Sequence, residues 1–138
     1  MAYDINAIYD RTAGYCHLCG RRVCFRNYNV PGAKGAWEIE HSRPRALGGT
    51  DHGNNLYPAC IPCNREKSHR LSTRTVRAWN GQQRAPLSRG KRAEAKRQQS
   101  AAGALLCGFA GSMFGPIGAI VGAAIGAAIG DNQNPDRR

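Results

Sequence analysis

The sequence predicts a small α+β domain clamped by a metal ion, followed by a basic linker and an uncharged, Gly/Ala-rich helical tail. Three observations carry this reading: paired cysteines at Cys16/Cys19 and Cys60/Cys63, few apolar residues before position 100, and a charge-free run over 101–130. Composition divides the chain into a globular domain over 1–80, a basic linker over 81–100, a hydrophobic segment over 101–130 and a polar tail over 131–138.

The need for a clamp follows from the first zone. Its apolar residues, among them Ile8, Leu18, Val23, Trp37, Leu56 and Val76, are too few for a generous core. A small domain with little core needs a staple to offset the entropy of ordering its backbone. Asp4 is placed to cap a short helix through Tyr9, and Gly14 marks a turn before the first cysteine pair. No basic stretch followed by an apolar one opens the chain, so a reducing compartment is expected and disulfides are disfavoured.

Each Cys-x-x-Cys pair lets one turn of backbone present two thiolates to the same ion. Two pairs complete a tetrahedral set at Cys16, Cys19, Cys60 and Cys63, which suits zinc. Four protein ligands leave no open position, so the ion is structural. Redox cysteine pairs would usually come singly near a βαβ pattern. His17, inside the first pair, is expected to face solvent, while Cys24 and Cys107 are expected as free thiols.

Formal net charge is +11; of the Lys and Arg residues only Arg137 and Arg138 lie beyond position 100. A polyanion partner is the natural reading, with a merely soluble basic surface or an anionic lipid surface as alternatives.

The run over 101–130 is long enough to cross a bilayer as one tilted helix at about 1.5 Å per residue. Gly118, Gly122, Gly126 and Gly130 recur every fourth residue, a spacing that puts small residues on one helix face where backbones can approach. The run resembles a glycine-zipper segment. Membrane association and self-association are expected of it, as a single span or, if Pro116 marks a turn, as a partly inserted hairpin. A flexible or buried tail is the plainer reading. The basic zone before it favours a cytoplasmic, inner-membrane-associated location for the N-terminal domain.

Between and after the knuckles stands Glu40-His41, then Pro44 and Gly48-Gly49, then Asn55-Leu56, then the second cysteine pair with Asn64 and Lys67 behind it. In this order and spacing, residues 10–70 resemble the HNH endonucleases. The resemblance implies a treble-clef-like beta-beta-alpha-metal fold. It implies His41 as the general base that takes a proton from attacking water, and Glu40 and Asn64 as ligands of a catalytic magnesium or manganese ion. Asn55 would fix the loop that orients His41. Imidazole suits the base role because its ordinary pKa lies near 6.5. Trp37 to His41 alternates as a half-buried strand does, so the loop after it must bend if Glu40 and His41 are to serve one site. Arg43, Arg45, Arg65, Lys67 and Arg70 crowd the same neighbourhood and are expected to contact DNA phosphates. His69 is a secondary candidate for metal or phosphate. Ser72 is placed to cap a helix whose Val76 and Trp79 pack on the core, base stacking by Trp79 being the alternative.

The function implied is a DNA endonuclease, with a membrane tether expected from the tail and phage defence or a toxin role as its settings. The rival is a non-catalytic zinc module that binds nucleic acid or protein through the same basic surface, with an oligomerising tail.

Overall fold

The structure, a computed structural model, describes residues 3–111, 115–131 and 135–136, in two compact units over Met1–Arg89 and Gly90–Arg138. Helix α1 (Ile5–Asp10) is capped by Asp4, whose carboxylate accepts from the Ala7 amide at 3.1 Å. The chain then turns at Gly14, whose φ of +78° suits glycine and whose missing Cβ leaves room for the Tyr9 ring.

Strands β1 (Trp37–His41) and β2 (Leu56–Cys60) pair antiparallel, with Trp37 opposite Cys60 and His41 opposite Leu56. Helix α2 (Ile61–Lys67) follows β2 without a linker, and Pro62 sits in its first turn, where a missing N–H leaves no bond unmade. This is the expected zinc-stapled ββα architecture. The first knuckle docks onto β2 through the His17 amide, which donates to the Pro58 carbonyl at 3.0 Å. Trp37 is fully buried with Leu18, Val23, Leu56 and Val76, and the rings of Tyr9 and Tyr28 lie 5.4 and 4.9 Å from it.

Helix α3 (Thr73–Trp79) is capped by Ser72. Val76 packs into the core, but Trp79 is 61 % exposed, against the expectation that both would pack. In a helix of only seven residues the buried stripe is narrow, and three positions on from Val76 the side chain has rotated past its edge.

The second unit contains α4 (Arg89–Gly111) and α5 (Gly115–Asp131). The second half of the zone read as a basic linker belongs to α4, which runs unbroken into the uncharged segment. Pro116 stands at the start of α5, where proline is tolerated. The helices pack antiparallel: a Cβ on Gly103 would lie 2.1 Å from the Gly126 carbonyl, and one on Gly130 would lie 2.3 Å from that of Gln99. At the other end Gly108 faces Ala119 and Ala123. The contact includes Ala119, Ala123, Gly126 and Gly130, the last two belonging to the glycines that recur every fourth residue. Leu105, Leu106, Phe109, Ile117, Ile120 and Ile125 stay exposed. Of the polar tail expected over 131–138, residues 132–134 and 137–138 lie outside the described residues.

Candidate metal centre and catalytic pocket

The two knuckles bring the sulfurs of Cys16, Cys19, Cys60 and Cys63 within 4.8 Å of one another, and Cys19 Sγ lies 3.7 Å from Cys60 Sγ. Tetrahedral zinc–thiolate bonds of about 2.3 Å place sulfurs about 3.8 Å apart. The donor set therefore fits structural zinc. The sulfurs also impose opposed demands on one another: hydrogen bonding with Cys16, Cys60 and Arg21 pushes the Cys19 thiol down, while the same cluster pushes Cys16 and Cys60 up. A cation that holds all four as thiolates removes that conflict.

A second constellation is built at the end of β1. His41, Arg45, Asn64, Ser68 and His69 line one pocket of about 360 Å³. The strand end supplies His41, and α2, anchored at both ends of its first turn by Cys60 and Cys63, supplies Asn64. Asn55 ties the intervening loop: its Oδ1 accepts from the Arg43 amide at 2.7 Å, and its Nδ2 donates to the carbonyls of Arg43 and Thr50. Gly49 packs so tightly on the Arg43 carbonyl that a Cβ there would lie 1.8 Å from it.

Residues 16–70 match the HNH endonuclease family. Within the matched segment the elements named from the sequence fall in order on β1, the loop, β2 and α2, and the match supports a nuclease-type function. Residues 99–134 match the glycine zipper 2TM domain. Curated proteins and solved structures offered no match to the chain.

Two expected roles in the HNH segment are corrected by burial. Lys67, expected to contact phosphate, is 1 % exposed; its Nζ lies 2.6 Å from Glu40 Oε1 and donates to the His41 carbonyl at 3.1 Å. Glu40, expected as a ligand of the catalytic ion, has its other oxygen 2.5 Å from His17 Nε2. The alternation of β1 contributes: Glu40 turns inward beneath α2, so that it borders the pocket from below while His41 stands at the strand end. Asn64 meanwhile donates to Glu38 Oε1 at 2.9 Å. Glu40 and Asn64 thus lie on the wall of the His41 pocket with their polar atoms engaged by Lys67, His17 and Glu38, and among the described residues the four cysteines are the one group of three or more His, Cys, Asp or Glu side chains placed to hold an ion.

His17 is wholly buried rather than solvent-facing, and its ring stacks on Tyr57 at 4.8 Å. Burial pushes its pKa down, outweighing Glu40, so it is neutral. Its Nδ1 accepts from Arg77 at 2.9 Å, and Nε2 faces Glu40 Oε2 at 2.5 Å. Burial pushes Glu40 up, but the hydrogen bonds from His17 and Lys67 more than offset this, and its carboxyl lies below the usual range.

Of the expected phosphate contacts, Arg43 donates to the Leu47 carbonyl and Arg45 grips Asp51 with two nitrogens, whereas Arg65 and Arg70 are exposed. Sequence reasoning missed Asp51. Its Oδ1 lies 2.8 Å from His41 Nε2, and its pKa is held down at about 2 by the bonds from His41 and Arg45. The signal was its place directly after Gly48-Gly49-Thr50, in the loop that must return to His41.

Proposed function

We propose that the first unit is an endonuclease that hydrolyses DNA phosphodiester bonds with His41 as the general base. The observation that carries this reading is the meeting of His41, Asn64 and His69 in one pocket within the HNH match. The Asp51 carboxylate, ionised throughout the neutral range, lies 2.8 Å from His41 Nε2, and we infer the tautomer in which Nε2 donates to it, with Arg45 Nε bonded to Asp51 and not to the ring, so that Nδ1 keeps the lone pair. That nitrogen takes a proton from water as the water oxygen bonds to phosphorus and the bond to the departing oxygen breaks. The basic surface supplies affinity for the polyanion.

We further infer that the second unit attaches the nuclease to a membrane as a hairpin. The glycine zipper 2TM match and the exposed apolar side chains on both helices support it. Among the described residues no helix is long and apolar enough to cross a membrane, which favours partial insertion.

The test of the nuclease is plasmid nicking by the full chain with magnesium or manganese supplied. Replacing His41 by alanine is expected to slow cutting about 10²- to 10⁴-fold. Equal cutting by both proteins would remove His41 from the mechanism. No cutting under either metal, with DNA binding retained, would replace the enzyme by the non-catalytic zinc module.

A further inference from the structure

The first unit has another pocket, of about 510 Å³, that shares no lining residue with the one at His41. Arg21, Arg22 and Arg65 line it, with Pro62 and Cys60 at one wall and the glycine-rich turn of Gly32 and Gly35 at another. No carboxylate lines it, and among the described residues none of its three arginines pairs with a carboxylate. Arg21 is held in place by a bond from its Nε to Cys19 Sγ at 3.4 Å. Helix α2 joins the two pockets. Ile61 and Arg65, one turn apart, serve this one, whereas Asn64, a single residue and about 100° away, serves the pocket of His41.

We propose that this pocket binds a backbone phosphate of the nucleic-acid strand, away from the bond being cut. The proposal rests on the nuclease reading of the His41 pocket. Three exposed arginines lining one pocket without a carboxylate are suited to a phosphodiester, which guanidinium recognises through paired N–H donors. A strand lying across α2 engages the reacting phosphate on one side and this cluster on the other, which fixes its register without reading its sequence. The competing account is local: zinc with four thiolates carries net negative charge, and the arginines beside it could serve only to neutralise that centre.

The two accounts separate by salt dependence. Binding of a defined DNA duplex is measured on the full chain carrying His41→Ala, at about 50 to 200 mM salt. Adding Arg21→Gln and Arg22→Gln is expected to weaken binding roughly tenfold and to lower the slope of log affinity against log salt by about 1 to 2. Arg22→Gln alone, which leaves the bond to Cys19 intact, is expected to lower the slope by about half as much. An unchanged slope, with zinc content or thermal midpoint reduced instead, would assign the arginines to the metal centre and overturn the proposal while DNA is still bound. Failure of the His41→Ala parent to bind DNA at all would overturn the nuclease reading, and this site with it.

Discussion

Glu40 shows how one side chain can tie several elements together beneath a candidate site. Its carboxylate joins Lys67 of α2, His17 of the first knuckle and, through His17, Arg77 of α3. Removing one partner leaves a buried charge uncompensated, at a cost of about 3 to 5 kcal/mol. Glu40→Gln is therefore expected to lower stability by that order at neutral pH, measured by denaturant unfolding with zinc held constant. The sign with pH follows from a folded pKa below the ordinary 4.5. The carboxylate's contribution is present above 4.5 and is lost as pH falls through the depressed value, so parent and variant should converge there. Asp51 gives a separate expectation at this scale. Because it orients His41, Asp51→Asn should reduce the nicking rate about 10- to 100-fold with little change in DNA affinity; an equal loss in affinity would make it a binding residue instead.

At the scale of elements, each unit depends on backbone brought unusually close. The zinc centre joins a hairpin before β1 to the junction of β2 and α2, so Cys63→Ser should release both elements. Loss of zinc by metal analysis together with loss of the cooperative thermal transition is the expected result; a folded variant without zinc would contradict it. In the second unit, Gly103→Val places atoms where the Gly126 carbonyl already lies. Such a change should separate α4 from α5, detected as new protease cleavage within 99–130, while nicking by the first unit is unchanged.

Across the whole molecule, the proposed functions divide chemistry from location between the two units. All lysines and arginines except the final pair precede position 100, and the exposed apolar side chains of the hairpin follow it. Attaching a nuclease to a surface raises its local concentration where DNA arrives there. Deleting 101–138 should move the protein from the membrane fraction to the soluble one and leave nicking intact. Recovery of the full chain in the soluble fraction would end the tether reading.

The sequence by itself determined the four thiolate positions, the order of the HNH elements, the helix caps at Asp4 and Ser72 and the separate character of the tail. These depend on spacing and residue chemistry within a few positions, which a linear chain displays. Tertiary structure alone decided that His17 and Lys67 are buried partners of Glu40, that Asp51 returns to His41 and that Trp79 stays outside. Those outcomes depend on how strand alternation and helix rotation combine across elements distant in the chain, and a change of one position is enough to turn a side chain of β1 inward.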